Sequence, residues 1–282
     1  MRGLRDAVNP RRAALRDEVI RLGPWAQDVE IARGVSTAEW RSAPEGTYPA
    51  SVGPIPARRS DDRRFKSMLT GVYPEGLDGR SVLDCACNCG IHLLWAKELG
   101  AGPCLGFDAR VHWIEQARFL AQHRGPAEDV RFEACDLYEL PSLGLEPFDI
   151  TFFKGILYHL PDPVTGLRIA AEHTRELLVV QTCVVDGPPD ALLVNWESAD
   201  DLISGVHGLA WLPTGPDVLR SMLEWCGFPH TLVTLDRAPY TGERGVEAGV
   251  ELMLGNARRR IEVIAARSEE LLAGYSGSTV HD

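Results

Sequence analysis

Residues 81–90 read SVLDCACNCG, an apolar run that ends in small residues and a glycine, and the helical pattern IHLLWAKELG follows at residues 91–100. A buried strand that feeds the N-terminus of a helix lets a ligand approach the backbone closely. The next apolar run, CLGFDA at residues 104–109, contains Asp108, whose carboxylate can accept hydrogen bonds from both hydroxyls of a ribose. The two features predict a nucleoside site. A pyrophosphate would need the glycines of G-x-G-x-x-G, but the loop reads A-C-N-C-G, which disfavours NAD and FAD.

Outward from this stretch, the chain alternates between strand and helix patterns. Strands are predicted over residues 81–86, 104–109, 130–136, 148–156 and 176–185, and helices over residues 91–100, 112–125 and 165–174. This alternation is typical of an α/β fold with a doubly wound parallel sheet, which binds ligands at the carboxyl ends of its strands. A helix over residues 217–228 and strands over residues 230–236 and 260–267 are expected to close the fold.

The segments around this core have a different composition. Residues 10–22 place apolar side chains at helical spacing and predict an amphipathic helix, whereas residues 23–62 are rich in Gly, Pro, Ser and isolated Trp and predict a wrapping arm without regular structure. We therefore divide the chain into an N-terminal helix and arm (1–75), a cofactor-binding core (76–186), an irregular lid insertion (187–216), and a closing helix and strands (217–282) whose last residues, 276–282, are expected to fray.

Charge and cysteine content narrow the class of protein. The chain of 282 residues has 29 basic and 40 acidic side chains, a net charge of -11, and the first 66 residues hold 13 of the basic and only 9 of the acidic ones. An acidic core has no general attraction to polyphosphate, which disfavours a nucleic-acid substrate. The odd number of cysteines, seven, suits a reducing cytoplasm. No export signal and no long apolar run is evident, so we expect a cytoplasmic protein without a membrane span.

Five motifs resemble one known family. They are VLDCACNCG (82–90), GFDARVHWIEQARF (106–119), ACDLYEL (134–140), FDITFFKGILYHLPDP (148–163) and LLVVQT (177–182). Together they resemble the class I S-adenosylmethionine-dependent methyltransferases, and within them the branch that is similar to the tRNA wobble-uridine (mo5U/cmo5U) methyltransferases. The resemblance covers about residues 20–235. It implies a Rossmann-like doubly wound sheet of seven strands, the last pair antiparallel, with S-adenosyl-L-methionine as the cofactor.

The resemblance also implies which residues bind that cofactor. The amino-acid end would be lined by Asp84, Ala86, Asn88 and Gly90. The ribose would be held by Asp108, with Ala109 and Arg110 flanking the adenine, Asp136 and Leu137 meeting its amino group and ring, and Lys154 and Gly155 closing the cleft beneath the sulfonium. Ala86 stands where the family usually has glycine, and its methyl group is expected to crowd the loop.

Two neighbouring residues are the candidates for catalysis. His159 and Tyr158 follow the fourth strand, where the methyl group should face the acceptor. His159 is either a general base or acceptor contact or a structural hydrogen-bonding residue, because imidazole suits both roles. In the related tRNA enzymes the matching tyrosine contacts the extra carboxylate of carboxy-S-adenosylmethionine, so Tyr158 keeps carboxymethyl transfer open. Lys66 matches a family lysine upstream of the first motif.

Several other residues have both a functional and a structural interpretation. Cys85, Cys87 and Cys89 lack a fourth ligand at zinc-like spacing, so no metal is expected. His92 either contacts the cofactor or starts a helix, and His207 and Trp211 are favoured as lid residues over ordinary packing. Trp40 and Trp196 could either stack on an aromatic or sugar acceptor or serve as partly buried anchors, and anchoring is the expected role. One arginine group could either grip a phosphate or lie on a solvated surface, and the solvated surface is favoured: Arg58, Arg59, Arg63 and Arg64. A solvated surface is also expected for Arg258, Arg259 and Arg260.

The leading functional hypothesis is O-methylation of a small-molecule acceptor, a sugar or secondary metabolite such as those of antibiotic biosynthesis. One alternative is methyl or carboxymethyl transfer to the wobble uridine of tRNA, against which the acidic balance counts. Another is a non-catalytic partner protein that only binds the cofactor. The oligomeric state, including a homodimer, stays open.

Overall fold

The computed structural model of the protein describes residues 10–48, 58–59, 62–125, 128–237, 258–277 and 279–281. The helices are α1 (Pro10–Arg21), α2 (Asp62–Val72), α3 (Ile91–Glu98), α4 (Val111–Arg124), α5 (Pro163–Glu172), α6 (Pro216–Trp225) and α7 (Glu270–Ala273). The strands are β1 (Gln27–Asp28), β2 (Glu30–Ala32), β3 (Val35–Ser36), β4 (Arg58–Arg59), β5 (Val82–Cys85), β6 (Cys104–Asp108), β7 (Val130–Ala134), β8 (Phe148–Lys154), β9 (Thr174–Val185), β10 (Leu192–Trp196), β11 (Leu209–Pro213), β12 (His230–Arg237), β13 (Arg258–Ala266) and β14 (Val280–His281). Within the described part of the chain, no helix is both long and apolar enough to cross a bilayer.

The central sheet has the strand order β14-β12-β13-β9-β8-β5-β6-β7. Strands β9, β8, β5, β6 and β7 are parallel to their neighbours, and β13 runs antiparallel to both β9 and β12. The prediction of a doubly wound seven-stranded sheet with an antiparallel final pair is therefore confirmed. The short strand β14 extends the sheet by pairing in parallel with β12 at Leu235 and Asp236. The prediction that the tail frays is wrong for residues 280–281, because their backbone completes this edge.

Helices cover both faces of the sheet, which explains the continuous apolar runs of its strands. Every residue of β5 is buried, as parallel strands packed on both faces require. Val82 and Phe152 point to the face that packs against α1 to α4, whereas Leu83 and Phe153 point to the face that packs against α5 and α6. The two hydrophobic clusters hold the carboxyl ends of the parallel strands at one common edge.

The N-terminal region contains more regular structure than its composition predicts. Its amphipathic helix is present as α1, but β1 pairs with β4 and β2 pairs with β3 within the segment predicted to be irregular. Trp25 is buried as an anchor and donates from Nε1 to the carbonyl of Val19 at 2.8 Å. Helix α2 was not predicted, although five of its residues are buried in the core. Pairings of two or three residues leave too little periodicity in the sequence to be recognised.

The lid, residues 187–216, is also more ordered than predicted. Strands β10 and β11 form an antiparallel hairpin in which Leu193 lies opposite Leu212 and Asn195 lies opposite Ala210. The prediction of an irregular segment is therefore wrong. The sequence carries no short turn motif that would mark the hairpin, because 12 residues, 197–208, separate its strands. Trp196 is 69% exposed, which contradicts its expected role as a buried anchor. The hairpin lies beside the turn that follows β8.

Candidate active site

The loop between β5 and α3 has an unusual backbone conformation. Ala86, Asn88 and Gly90 all have positive φ, at 56°, 50° and 73°. A Cβ at Gly90 would lie 2.4 Å from the ring of Phe132, so only glycine fits there without displacing that ring. The left-handed conformation of Ala86 costs about 1 kcal/mol that a glycine would avoid. The loop thus exposes its backbone at the carboxyl end of β5, where a ligand can approach closely.

Asp84, at the centre of this edge, has a buried and unsatisfied oxygen. The residue is 1% exposed, and its Oδ2 accepts no hydrogen bond. Nδ1 of His92 lies 3.6 Å from this oxygen, beyond hydrogen-bonding distance. His92 instead stacks on Phe65, with ring centroids 5.0 Å apart. A buried carboxylate oxygen without a donor is costly, and the ammonium group of an amino-acid cofactor would supply both donor and charge. This side chain fits S-adenosylmethionine.

Asp108 occupies the corresponding place at the end of β6. Its Oδ2 accepts from the backbone N–H of Asn88 at 3.1 Å and its Oδ1 from that of Arg110 at 3.0 Å. Burial raises the pKa of this carboxyl group to about 6, although the two backbone hydrogen bonds act in the opposite direction. Each carboxylate oxygen retains a second lone pair. This leaves acceptor positions for the two hydroxyl groups of a ribose, and the ribose-binding role of Asp108 stays a prediction.

The Arg110 side chain contacts the lid. Its Nη2 donates to three carbonyl oxygens there, those of Ala199 at 3.1 Å, Asp201 at 2.8 Å and Ser204 at 3.0 Å. Sequence analysis had no signal for this clamp, since the partners lie about ninety residues away. The flanking of the adenine by Ala109 and Arg110 stays a prediction.

A second contact joins the lid to the segment after β7. Nε2 of His207 lies 3.0 Å from Oδ2 of Asp136, whose Oδ1 caps the following turn by accepting from the N–H of Tyr138. Leu137 is buried beside it. Trp211 adds a third contact by donating from Nε1 to the carbonyl of Pro161 at 2.9 Å. These contacts are consistent with the lid interpretation of His207 and Trp211.

Lys154, the last residue of β8, belongs to a buried charged cluster. Glu262 on β13 is completely buried and accepts from Nζ of Lys154 and from both Nη atoms of Arg64, at 2.5, 2.8 and 3.0 Å. Gln181 and Thr234 donate to the same carboxylate. Burial alone would raise the pKa of Glu262, but the two cations outweigh it and hold that pKa well below its usual range. Burial lowers the pKa of Lys154.

This cluster corrects one interpretation of the arginines. Arg64 was expected on a solvated surface, but its side chain is only 15% exposed because it is paired with Glu262. Arg260 lies against β9, with Nη1 3.4 Å from Oε1 of Gln181. Arg259 pairs with Asp236. The side chains of Arg58, Arg59 and Arg258 lie outside the described residues.

His159 pairs with a residue that sequence analysis missed. Its Nδ1 lies 2.7 Å from Oε2 and 3.0 Å from Oε1 of Glu197, the first residue after β10. Tyr158 packs against the imidazole, with ring centroids 4.2 Å apart. Gly155, three residues before Tyr158, has a φ of 75°. The only sequence signal for Glu197 was an acidic residue directly after an apolar strand pattern.

The remaining predicted residues lie apart from these groups. Nζ of Lys66 contacts carboxylates of Glu98 and Asp62, at 2.5 and 3.4 Å, on the exposed side of α2. Trp40 packs edge-on against Tyr48. Burial raises the pKa of Cys89 to about 12 and those of Cys85 and Cys87 well above the ordinary value. Among the described residues, no three His, Cys, Asp or Glu side chains are arranged to hold a metal ion.

The carboxyl edge of the sheet therefore combines the predicted residues into one cleft. Asp84 and Asp108 end neighbouring strands, Asp136 follows the third, and Lys154, Gly155, Tyr158 and His159 follow the fourth. The lid contacts this edge at four points, through Arg110, Asp136, His159 and Pro161. This arrangement can bind a nucleoside with an amino-acid extension and place a second molecule beneath the lid.

Comparison with known proteins agrees with this geometry. The family described as "Methyltransferase domain" matches residues 77–212. Two curated relatives are both named tRNA U34 carboxymethyltransferase. The one from Campylobacter hominis is 31% identical over 152 residues, 53% of this chain and 50% of the relative, and the one from Alteromonas mediterranea is 29% identical over 165 residues, 56% and 47%. The chain thus spans about half the length of these relatives.

A solved structure shares the fold over most of the chain. The N-terminal domain of EvdMO1, crystallised in the presence of SAH and D-fucose, is 18% identical, has a TM-score of 0.65, and aligns over 90% of this chain and 96% of that one. The match at this identity concerns the fold. The family match identifies residues 77–212 as a methyltransferase domain, and the shared fold and the geometry of the edge agree with a class I domain that uses S-adenosyl-L-methionine.

Proposed function

We propose that this protein transfers the methyl group of S-adenosylmethionine to an oxygen atom of a small molecule. The observation that carries the proposal is the lid, which is fixed to the cofactor edge by four separate polar contacts. A lid that covers the acceptor would favour a small molecule and exclude water, which helps position the reacting oxygen. The net charge of -11 favours the same choice, since it repels polyphosphate.

The residues of the cleft have distinct roles in this proposal. The cofactor, when bound, supplies an electrophilic methyl group on a sulfonium. We assign the ammonium group to Asp84 and the ribose to Asp108, and the adenine to Asp136 and Leu137 with Ala109 and Arg110. The loop residues Ala86, Asn88 and Gly90 would line the amino-acid end, and Lys154 and Gly155 would close the cleft below the reacting centre. Tyr158 and His159 would face the acceptor.

The proposal also includes the cellular compartment and the class of acceptor. All seven cysteines are unpaired thiols, which supports the cytoplasm as the compartment. A sugar or sugar-bearing secondary metabolite is the acceptor class that we favour, because the structural neighbour EvdMO1 was crystallised with D-fucose.

A second candidate function is transfer of a methyl or carboxymethyl group to tRNA. It is supported by the names of the two curated relatives and by Tyr158, which matches the tyrosine that contacts the extra carboxylate in that family. Against it stand the acidic charge and the partial match, since phosphate contacts normally dominate RNA affinity.

Transfer of a radiolabelled methyl group from S-adenosylmethionine distinguishes these functions. The purified protein is incubated with free sugars and glycosides, with a small-molecule extract, and with total tRNA at low and high salt, and Asp108→Asn serves as the inactive control. We expect label in a small molecule. Label in tRNA, with binding that falls steeply with salt, would support the second candidate. Binding of S-adenosylhomocysteine without label in any pool would leave the non-catalytic partner.

A further inference from the structure

The contact between His159 and Glu197 has the geometry of an oriented imidazole. His159 lies in the single helical turn Leu157–His159 after β8, and both carboxylate oxygens of Glu197 lie within 3.0 Å of its Nδ1. The same carboxylate accepts from the backbone N–H of Gly205 at 2.8 Å. The side chain of Glu197 is only 9% exposed and that of His159 is 19% exposed. The two side chains come from segments 38 residues apart, so the lid completes this part of the cleft.

The protonation pattern follows from the hydrogen bond. An ionised carboxylate can only accept, so Nδ1 of His159 must carry the proton in this contact. In the neutral ring, Nε2 then carries the lone pair, and it has no hydrogen-bonding partner among the described residues. A carboxylate that fixes the tautomer of an imidazole and stabilises the imidazolium is the arrangement that makes histidine an effective general base.

The packing around the pair keeps this orientation fixed. A Cβ at Gly205 would lie 2.5 Å from the carbonyl oxygen of His159 and 2.9 Å from Oε2 of Glu197. The lid backbone at Gly205 therefore approaches His159 more closely than any residue with a side chain would allow. Tyr158 also packs against the ring. Together these contacts restrict the imidazole to a narrow range of orientations.

We propose that Glu197 is a positioning residue that holds His159 as a general base, and that the acceptor is therefore a hydroxyl group which keeps its proton at neutral pH. This inference rests on the proposed function. The acceptor oxygen bonds to the methyl carbon, the carbon–sulfur bond breaks with its electron pair remaining on sulfur, and the hydroxyl proton passes to Nε2 of His159. An alkyl or sugar hydroxyl needs this base, whereas an acidic phenol or enol hydroxyl that is already ionised does not.

The tautomer of His159 can be measured without any acceptor. The protein, which has eight histidines, is labelled with nitrogen-15 in the imidazole rings, and His159 is assigned by comparison with His159→Gln. Spectra are recorded at about pH 8, above the ordinary pKa of imidazole, with and without S-adenosylhomocysteine. We expect the proton of His159 to reside on Nδ1 in the wild type and to be distributed over both nitrogens in Glu197→Gln, since an amide can donate as well as accept. A wild-type proton on Nε2 would overturn the proposal.

Kinetics then separate positioning from a merely structural contact. With the hydroxyl acceptor that the labelling screen identifies, Glu197→Gln should lower kcat roughly 10²-fold and change KM little. Glu197→Asp, which keeps the charge, should restore part of the rate. The matched control is Glu224→Gln, the same substitution at an exposed position on α6, which should leave the tautomer and kcat unchanged. A raised KM with unchanged kcat would mean that Glu197 only fastens the lid, and would refute its positioning role.

Binding of S-adenosylhomocysteine distinguishes a failure of the His159–Glu197 pair from a failure of the proposed function. If the wild type and Glu197→Gln bind it equally but the tautomer does not respond to the substitution, the dyad fails and the proposed function stands. If the tautomer is as expected but no acceptor is labelled, the assignment of an un-ionised hydroxyl acceptor fails together with the proposed function.

Discussion

The two sides of the cleft use their carboxylates in opposite ways. On the cofactor side, Oδ2 of Asp84 has no hydrogen-bonding partner and Asp108 accepts only two backbone hydrogen bonds. On the acceptor side, beyond the end of β8, Glu197 and Glu262 are each held by several donors from other elements. Asp84 and Asp108 therefore keep oxygen lone pairs that can accept hydrogen bonds from a ligand. Glu197 and Glu262 instead orient neighbouring side chains before any ligand arrives.

The largest expected effect comes from breaking the most heavily bonded of these carboxylates. Glu262→Gln would leave Lys154 and Arg64 buried without their counter-charge, and we expect a loss of about 3 to 5 kcal/mol in the free energy of unfolding. Urea denaturation measures it. Glu172→Gln, which breaks an exposed ion pair with Arg168 on α5, is the control and should cost at most about 1 kcal/mol. Equal losses would contradict the distinction between the two sides.

The connection between the sides depends on Arg110. In Arg110→Ala the carbonyls of residues 199–204 lose a charged donor, which we expect to destabilise the lid locally by about 2 kcal/mol. Hydrogen exchange should then show roughly 30-fold faster exchange of lid amides, while the amides of β5 and β8 stay protected. Arg168→Ala, an exposed arginine that pairs with Glu172, is the control. Unchanged lid exchange would show that the clamp is dispensable.

The cofactor side should respond to pH through Asp108. Its pKa in the folded protein is about 6 rather than 3.8, so protonation of this carboxyl group favours the folded state. This contribution to stability is complete below about pH 3.8 and is lost as the pH rises through 6. Binding follows the opposite trend, since only the ionised form accepts from both hydroxyls of a ribose. Affinity for S-adenosylhomocysteine should fall about tenfold per pH unit below 6. Titrations over this range in Asp108→Asn should show no such dependence, and a dependence that persists there would assign it to another group.

The smallest effect on stability is expected for a residue that belongs to neither side of the cleft. Lys66 forms ion pairs with Glu98 and Asp62, so Lys66→Gln should cost at most about 1 kcal/mol in unfolding free energy. Affinity for S-adenosylhomocysteine should not change. A marked loss of affinity would instead assign Lys66, which matches a family lysine, to the cofactor side.

Local sequence patterns were sufficient to predict the strands, loop and helix that form the cofactor side. The strand, loop and helix around residues 82–98 and the acidic end of β6 lie within about 30 residues of one another, and each element shows the periodicity or residue types that its own conformation requires. Asp108 could therefore be proposed from the sequence pattern and Asp84 from the family resemblance, and both are found at the same edge of the sheet.

The acceptor side could not be predicted in the same way because its contacts are distant in the sequence. The partners Glu197 and His159 are 38 residues apart, and Lys154 and Glu262 are 108 residues apart. Which acidic side chain meets which base depends on strand order and on the path of the lid, and neither is encoded in a local pattern. The hairpin of the lid was missed for a related reason, since its strands are joined by a long connection.

Calorimetric titration with S-adenosylhomocysteine tests the central claim, that the acidic ends of β5 and β6 form the cofactor site. The wild type should bind, and Asp108→Asn should bind about 10 to 100-fold more weakly because it loses charge-assisted hydrogen bonds to the ribose. Asp129→Asn, an exposed residue before β7, is the matched control and should bind as the wild type does. No binding by the wild type, or equal binding by Asp108→Asn, would contradict this assignment of the cleft.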